Sequence, residues 1–357
     1  MPREAHQHSC VGTGFIVLDV IRSSVGTTAT EKRFAGGSCG NVLTILAYFG
    51  WNANAVGRIG EDHVGHELVD DLSKWHVNTK LLQMEAGRGT PIVVQENYVD
   101  ARGRPRHRFF RACPACGARL PSYRPLLSGE AASIAEKLPS HSVFYFDRVA
   151  AGTLELAQKS RERGALVVFE PSGVKEERLF TECLKAAHIV KYANDRIEGI
   201  HEIVARANVP VEIETLGAKG LRLRVRASSR TGVWKELPAF SAPNLRDAAG
   251  AGDWTTAGII HSLMLGCASA VDSVADVDAV VRAAQQGQAL AALNCGFEGA
   301  RGLMYVADSK HVLELAAAIA KGTKEPSVAE VHSMKRVNAR NTEKACLTCS
   351  GAQALHL

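Results

Sequence analysis

The stretch Asp247-Ala-Ala-Gly-Ala-Gly-Asp253 is the most informative segment of this 357-residue chain. A helical pattern that begins with Asp253 follows the two glycines directly. Small residues allow several backbone N–H groups to point into one cavity, and the following helix adds the positive end of its dipole. Such a cavity suits a phosphoryl group in transfer, because its charge must be neutralised in place. Asp253 is then positioned to accept the proton of an attacking hydroxyl.

The same residues fit a second interpretation. A glycine-rich entry and a capping aspartate are also ordinary features of a helix N-terminus. Other phosphate-binding patterns are missing from the sequence, which has no P-loop, and Gly12-Thr-Gly14 lacks the third glycine of the dinucleotide fingerprint. Local chemistry therefore leaves a phosphoryl-transfer site and a plain capped helix both open.

The composition is that of a soluble globular protein, with 46% hydrophobic and 22% charged residues. A formal net charge of +5 suits anionic ligands such as nucleotides and does not demand nucleic acid. The polar N-terminus shows no signal peptide, and no window reaches the roughly 18 apolar residues of a membrane span. We therefore expect a cytoplasmic protein that does not enter a membrane.

The hydrophobic patterns predict an α/β protein. From about residue 130, helical and strand patterns alternate, which favours a mostly parallel sheet covered by helices on both faces. The apolar run from Val11 to Val20 predicts one buried strand. Residues 91–99 and 106–110 read as two strands around a turn, so we expect an inserted hairpin that serves as a lid.

Four segments, taken together, resemble the ribokinase-like, or PfkB-type, carbohydrate kinases. The stretch from Asp247 to Asp253 resembles the C-terminal signature of that family, and Gly36-Gly-Ser-Cys-Gly-Asn41 resembles its N-terminal Gly-Gly-x-x-x-Asn signature. Asp19 stands where the family carries an aspartate that binds substrate hydroxyls. Glu214-Thr-Leu-Gly-Ala-Lys-Gly220 resembles the nucleotide-site turn. The four matches occur in family order, and the resemblance covers roughly residues 10–322.

The resemblance implies a ribokinase-like three-layer αβα sandwich with a mostly parallel central sheet and a small β lid. The kinase domain would be residues 10–322, with lid strands within about 24–35 and 88–123. Residues 323–357 are polar and would form a C-terminal tail. The implied activity is transfer of the ATP γ-phosphate to a hydroxyl of a sugar, a sugar-like molecule or a nucleoside.

The resemblance also implies a role for each motif residue. The anion hole would be formed by Gly250, Ala251 and Gly252, beside the catalytic base Asp253. Substrate would be held by Asp19, Gly37 and Asn41. The nucleotide would be contacted by Asn194, Thr215, Gly217, Gly220 and Asn294, the last near the adenine. Asp19 and Asn41 could instead be a strand-end cap and a helix cap, and Asn294 a plain helix residue.

The metal-ordering motif of the family departs from its pattern in this chain. Its Asn-x-x-Glu appears as Asn194-Asp-Arg-Ile-Glu198, with the glutamate one residue late. Asp195 or Glu198 would then order Mg²⁺ and its waters, and a Mg²⁺-nucleotide is still expected. Many relatives bind a monovalent cation through the first aspartate of the second signature, so Asp247 is a candidate ligand for K⁺.

Two Cys-x-x-Cys pairs are an addition to the family pattern. Cys113 with Cys116, and Cys346 with Cys349, would together supply the four thiolates of a tetrahedral structural zinc site. Zinc would then tie the tail to the lid, within one chain or across a homodimer. Two unrelated pairs of thiols, or a redox motif, are the alternatives.

Five arginines crowd beside the first cysteine pair: Arg102, Arg104, Arg106, Arg108 and Arg111. They fit a solvated hairpin face, a site for an anionic substrate, or a nucleic-acid surface, in that order. The main hypothesis is therefore a PfkB-type sugar kinase that uses ATP. The rival is a zinc-tethered nucleic-acid-binding or regulatory protein on a kinase-like scaffold.

Overall fold

The computed structural model describes residues 8–23, 30–100, 105–114, 116–226, 232–242, 245–265 and 271–327. Its strands are β1 (Ser9–Thr13), β2 (Val17–Ser23), β3 (Thr30–Gly36), β4 (Asn52–Gly60), β5 (Asn78–Glu85), β6 (Ile92–Val99), β7 (Pro105–Phe110), β8 (Val143–Phe146), β9 (Leu166–Phe169), β10 (Ile189–Ala193), β11 (Val211–Thr215), β12 (Leu221–Val225) and β13 (Lys235–Leu237). Its helices are α1 (Gly37–Tyr48), α2 (His63–Lys74), α3 (Ser128–Lys137), α4 (Ala151–Glu162), α5 (Glu177–Ala186), α6 (Ile200–Ala207), α7 (Ala251–Met264), α8 (Val277–Asn294) and α9 (Ser309–Ala320).

The larger sheet has the order β13-β12-β11-β10-β9-β8-β1-β4-β5. All its neighbours pair in parallel except β11 with β12 and β12 with β13, which are antiparallel. The central strands β8 and β9 are apolar and buried at every position, as expected for parallel strands covered on both faces. Separate apolar cores lie on the two faces, one built with α1, α7, α8 and α9 and the other with α3 to α6. The predicted ribokinase-like α/β fold is confirmed.

The smaller sheet has the order β3-β2-β6-β7 and contains the predicted hairpin strands. Side chains alternate between its faces, because the period of a strand is two residues. Leu18, Val20 and Val94 pack on one face with Cys113 and Leu120. Asp19 lies on the opposite face.

The run from Val11 to Val20 is not the single strand that we expected. The chain breaks at Gly14, whose φ of 141° favours glycine, and β1 and β2 enter different sheets. The turn is fixed by Asp147, whose Oδ1 accepts the Phe15 N–H at 2.7 Å. An added Cβ on Gly14 would lie 1.8 Å from that oxygen. The small sheet therefore includes residues 17–23, outside the predicted lid segments, and Asp19 is inside β2 rather than at the end of the first strand.

Two further points concern the periphery of the fold. The edge strand β5 was not predicted; it extends the large sheet beyond β4, in parallel. Among the described residues, none of the helices combines the length and the apolar character needed to span a membrane. Beyond residue 327, the predicted tail lies outside the part of the chain that is described.

Candidate active site

The two glycine signatures meet at one hydrogen bond. Asn41 on α1 donates from Nδ2 to Oδ2 of Asp253 on α7, at 2.7 Å, although 212 residues separate them in sequence. The two helices pack against each other, and both side chains are buried, at 4% and 8% exposure. Because Oδ2 is occupied by Asn41, Oδ1 is the carboxylate oxygen left to receive a proton. The structure thus brings the predicted substrate residue and the predicted base together.

The glycine-rich loop takes a conformation that only glycine accommodates easily. Gly250 has φ of 75°, and a Cβ there would lie 2.4 Å from the carbonyl oxygen of Ala300. Helix α7 begins at the next residue, so the amides of its first turn have no partner within the helix. The Ala251 amide, however, donates to the Ala248 carbonyl at 3.2 Å. The Ala251 amide thus already has a partner within the loop, and the anion hole of Gly250, Ala251 and Gly252 stays a prediction.

Two predicted ligand-binding residues brace this loop. Asp247 accepts the Ala249 N–H through Oδ1 at 2.9 Å and the Gly299 N–H through Oδ2 at 3.0 Å. Asn294 has 0% exposure; its Nδ2 donates to Ala249 O at 3.3 Å, and its Oδ1 accepts from Leu303 N at 3.1 Å. Both ends of its amide are used inside the protein, and the expected contact with adenine stays a prediction. Asn294 ties the phosphate loop to the loop after α8.

Asp19 and Asn41 both line one pocket beside the Asn41–Asp253 hydrogen bond. The Gly37 N–H donates to Asp19 Oδ2 at 3.4 Å, and a Cβ on Gly36 would collide with that oxygen. Burial raises the pKa of Asp19 to about 6, against the opposing effects of the Gly37 N–H and of the Arg301 guanidinium. Asp19, Gly37 and Asn41 are therefore neighbours, as the resemblance implied.

The predicted nucleotide residues lie where β10 and β11 end. The Asn194 N–H donates to the Thr215 carbonyl at 3.1 Å. Gly217 and Gly220 have φ of 59° and 105°, and they form a tight turn closed by the Leu216 N–H and the Gly220 carbonyl at 2.7 Å. Ligands of open α/β sheets bind at the carboxyl ends of the parallel strands, which is the edge that these residues share.

The candidate magnesium residues sit on the same edge. Asp195 and Glu198 are exposed in the turn between β10 and α6. Within the described ranges, no group of three or more His, Cys, Asp or Glu side chains is arranged to hold a metal ion. Mg²⁺ commonly takes one or two carboxylates and completes its shell with water and phosphate oxygens, and Asp195 and Glu198 stay its predicted partners.

A buried ion pair beneath the phosphate loop was not predicted. Lys191 on β10, 2% exposed, donates from Nζ to Glu170 Oε1 at 2.5 Å. The other Glu170 oxygen accepts from Thr256 Oγ1 at 2.6 Å. A Cβ on Gly252 would lie 3.6 Å from Nζ and 3.7 Å from Oε1, so the pair lies against the loop. A lysine in the middle of an apolar strand was the sequence signal that could have revealed it.

The ion pair and burial together set the protonation of the base. Burial raises the pKa of Asp253 well above its usual value, and the nearby Glu170 carboxylate raises it further. The hydrogen bond from Asn41 and the positive charge of Lys191 act in the opposite direction. The positive charge of Lys191 therefore favours the ionised form of Asp253, which is the form that a general base requires.

The first cysteine pair lies beside two backbone hydrogen bonds that connect Cys113 with the residues after Cys116. The Cys113 N–H donates to Ala118 O at 2.7 Å, and the Gly117 N–H donates back to Cys113 O at 2.8 Å. Gly117 has φ of 74°, which is the left-handed region. Cys113 is buried beneath the lid sheet, and Cys116 is exposed. The second pair, Cys346 and Cys349, lies outside the described residues, so the four-thiolate site stays a prediction.

Among the five arginines, Arg108 has a described environment that fits a solvated hairpin face. Its Nε donates to Glu96 on the neighbouring strand at 2.6 Å, and its guanidinium lies over the rings of Tyr98 and Phe110. Arg111 is exposed. Arg102 and Arg104 lie outside the described residues, as does the side chain of Arg106.

Comparison with known sequences identifies the same class of protein. Residues 7–106 match the pfkB family carbohydrate kinase model. The probable fructokinase-2 of Arabidopsis thaliana is 24% identical over 173 residues, which is 45% of this chain and 49% of that protein, so the match spans about half of its length. A putative sugar kinase of Pyrococcus horikoshii is 23% identical over 271 residues, covering 70% of this chain and 81% of that protein.

Solved structures share the fold over nearly their whole length. A Vibrio cholerae fructokinase double mutant with fructose, ADP and potassium ion bound has a TM-score of 0.65 at 19% identity, covering 87% of this chain and 99% of that one. A Burkholderia thailandensis nucleoside kinase in complex with inosine has a TM-score of 0.64 at 14% identity (89% and 100% covered). A Xylella fastidiosa fructokinase with bound ATP has a TM-score of 0.63 at 19% identity (91% and 97% covered). Fold and signatures agree with these comparisons: the chain has the ribokinase-like α/β fold and is similar to carbohydrate kinases of the pfkB family.

Proposed function

We propose that the protein is an ATP-dependent kinase that transfers the γ-phosphate to a hydroxyl of a sugar, a sugar-like molecule or a nucleoside. The observation that carries the proposal is the Asn41–Asp253 hydrogen bond at the start of α7, directly after the glycine-rich loop. It supports one site in which an acceptor hydroxyl, a base and a phosphate-binding loop are adjacent.

On the acceptor side, each side chain has an assigned task. Asp253 accepts the proton of the attacking hydroxyl through Oδ1, because Asn41 occupies Oδ2. Among the described residues, no atom donates to the buried Asn41 Oδ1, so that oxygen is available to a second acceptor hydroxyl. Asp19, which lines the same pocket, accepts from a further hydroxyl. The Gly37 amide holds Asp19 in place.

On the phosphate side, backbone and buried charge do most of the work. The amides of Gly250 and Gly252, with the dipole of α7, stabilise the negative charge on the transferring group. The ion pair of Lys191 and Glu170 lies behind the loop, where Lys191 favours the ionised form of Asp253. The positioning of the acceptor hydroxyl and the electrostatic stabilisation of the phosphoryl group account for most of the rate in this type of reaction.

Three ligands are proposed for the nucleotide side. ATP would lie against Asn194, Thr215, Gly217 and Gly220. Mg²⁺, when bound, would neutralise phosphate charge, with Asp195 or Glu198 ordering its waters. For K⁺, Asp247 is the candidate ligand; both its oxygens already accept one backbone N–H each, and each has lone pairs left for a cation.

The test is ATP consumption with D-fructose, D-ribose and inosine, with Mg²⁺ present and with K⁺ present or replaced by Na⁺. Asp253→Asn is the inactive variant. Asp70→Asn is its matched control, since it makes the same chemical change at an exposed position on α2. Turnover that survives Asp253→Asn would contradict the assignment of the base. Salt-dependent RNA binding without turnover would instead favour the nucleic-acid-binding rival.

We also propose a structural zinc site formed by Cys113, Cys116, Cys346 and Cys349. The supporting feature is the segment after Cys113, in which Gly117 has a positive φ and two backbone hydrogen bonds connect Cys113 with the residues after Cys116. Protein purified without chelator should contain one zinc per chain and lose it in a Cys113→Ser variant. Cys183→Ser, at a buried thiol on α5, is the control. Light scattering before and after zinc removal distinguishes a tie within one chain from the predicted homodimer.

A further inference from the structure

A buried arginine that the sequence did not suggest lies in the wall of the acceptor cavity. Arg301 follows α8 on the loop that also contacts the phosphate loop, and 2% of its side chain is exposed. It lines the cavity together with Asp19, Asn41 and Glu298. A charged side chain in such a place is rarely buried without a specific partner.

One edge of the Arg301 guanidinium is held firmly. Its Nη2 donates to the Ala35 carbonyl and to Asp71 Oδ2, the latter at 2.8 Å. Asp71 Oδ2 also accepts the Ala35 N–H at 2.8 Å, so the three residues form a closed set of hydrogen bonds. Asp71 is on α2 and is not part of the cavity wall. These contacts fix the plane and the direction of the guanidinium before any ligand arrives.

The other edge of the guanidinium is unsatisfied. Among the described residues, no atom accepts a hydrogen bond from Arg301 Nη1, although that atom is buried. A buried donor on a charged group costs free energy unless something accepts from it. Since Arg301 lines the cavity, the natural acceptor is an oxygen atom of whatever fills that cavity. The donor is therefore pre-organised for a ligand.

The charges around the cavity indicate what that ligand is. The single positive charge of Arg301 is already matched by Asp71 at 2.8 Å. The carboxylates of Asp19 and Glu298 also line the cavity, and Glu298 pairs with Lys32. Both positive charges, those of Arg301 and Lys32, are therefore matched by carboxylates. A phosphate or carboxylate group on the ligand would meet an unfavourable electrostatic field.

We propose that Arg301 determines acceptor specificity: its Nη1 donates to a neutral oxygen of an uncharged polyhydroxylated acceptor, a hydroxyl of which pairs with Asp19. The inference rests on the proposed kinase function, because it assigns the cavity to the acceptor. It adds a discriminating contact from a residue outside the recognised signatures. It also selects uncharged acceptors over their phosphate esters.

The test is calorimetric binding of D-fructose, D-ribose and inosine in the presence of a non-hydrolysable ATP analogue. Deoxy analogues of the tightest binder are measured next, together with its phosphate ester. In the wild-type protein, one deoxy position should weaken binding about 10- to 100-fold, the range for a hydrogen bond to a charged group. The phosphate ester should bind at least tenfold more weakly than the parent molecule.

The same series is then measured in Arg301→Gln and Arg301→Lys, the second of which keeps a charge beside Asp71. The variants should bind the parent acceptor about 10- to 100-fold more weakly than the wild-type protein does. Removing the hydroxyl at the sensitive position should then weaken binding to the variants by less than about a further threefold. The other deoxy positions should keep their wild-type effects. If Arg301 only stabilised the fold, its replacement would not abolish the discrimination between the acceptor and its deoxy analogue at one position alone. Asp70→Asn, at an exposed position on α2, is the control; it should keep both the wild-type affinity and the wild-type deoxy pattern.

Each outcome decides the proposal. An unchanged deoxy pattern in both folded Arg301 variants overturns it, as does tighter binding of the phosphate ester than of the parent. Failure of all three neutral probes to bind at millimolar concentration also overturns it. Binding with the expected pattern but without phosphoryl transfer supports the role of Arg301 and contradicts the proposed kinase function, so the two failures are distinguishable.

Discussion

Replacing the proposed base by its amide should separate catalysis from stability. In Asp253→Asn, the side-chain oxygen can still accept the hydrogen bond from Asn41, so the contact between α1 and α7 is kept. The new amide cannot accept a proton from the acceptor hydroxyl. We therefore expect a folded protein with almost no phosphoryl transfer.

The two magnitudes follow from the environment of Asp253. Loss of a general base costs about 10²- to 10⁴-fold in kcat, or roughly 3–5 kcal/mol of transition-state stabilisation. The free energy of unfolding, in contrast, should increase in Asp253→Asn. Burial and the Glu170 carboxylate raise the pKa of Asp253, so its contribution to stability is present at low pH and is lost as pH rises through that pKa. The amide of Asp253→Asn does not titrate and keeps its contribution. The difference in unfolding free energy between the variant and the wild-type protein should therefore grow with pH.

The assay is initial-rate kinetics with a coupled measurement of ADP, beside urea denaturation at several pH values. Asp70→Asn, at an exposed position on α2, should leave both kcat and unfolding free energy unchanged. A kcat for Asp253→Asn within about tenfold of wild type would refute the assignment of the base. A clear loss of stability at pH 8 would refute the stated cause of the pKa shift.

Three further changes test other parts of the site. Gly250→Ala should destabilise the protein by at least about 2 kcal/mol, against about 1 kcal/mol for Gly164→Ala, by denaturation. Both glycines have positive φ, but only the first has backbone within 3 Å of the added Cβ, so equal effects would contradict the close approach. Lys191→Met should move the acidic limb of the pH–rate profile to higher pH, because the lysine holds down the pKa of Asp253, and Lys191→Arg should restore it. Asp19→Asn should weaken acceptor binding. It should also raise the free energy of unfolding by up to about 2 kcal/mol at pH 7.5 and by less at pH 5. The reason is that burial raises the pKa of Asp19 to about 6, so the ionised carboxylate is disfavoured in the folded protein. A stability gain that is larger at pH 5 would show that the buried carboxylate is not the cause.

The sequence predicted the parts of the site that are carried by local motifs. The turn at Gly36 and Gly37 and the loop before Asp253 are recognisable because their small residues are contiguous. Their convergence could be expected only through the family resemblance, since the Asn41–Asp253 contact joins residues 212 positions apart. The alternation of helices and strands was enough to predict the large sheet.

Features that depend on tertiary contacts were missed. One apolar run became two strands in different sheets, because the turn at Gly14 is stabilised by Asp147, far away in sequence. Arg301 and the Lys191–Glu170 pair belong to no short motif, and their roles come from what surrounds them. Asn294 was assigned to the nucleotide, yet both ends of its amide bind backbone that is near only in the folded chain. Position in a motif does not show which way a side chain points.

The central claim is that the site around Asp253 moves a phosphoryl group from ATP to an acceptor hydroxyl. Mass spectrometry of the products formed with γ-¹⁸O-labelled ATP, Mg²⁺ and D-fructose, D-ribose or inosine tests it most directly. We expect the wild-type protein to form an acceptor phosphate ester that carries the label, in equal amount with ADP, and Asp253→Asn to form none. Labelled inorganic phosphate as the sole product, or the same ester from Asp253→Asn at the wild-type rate, would contradict it.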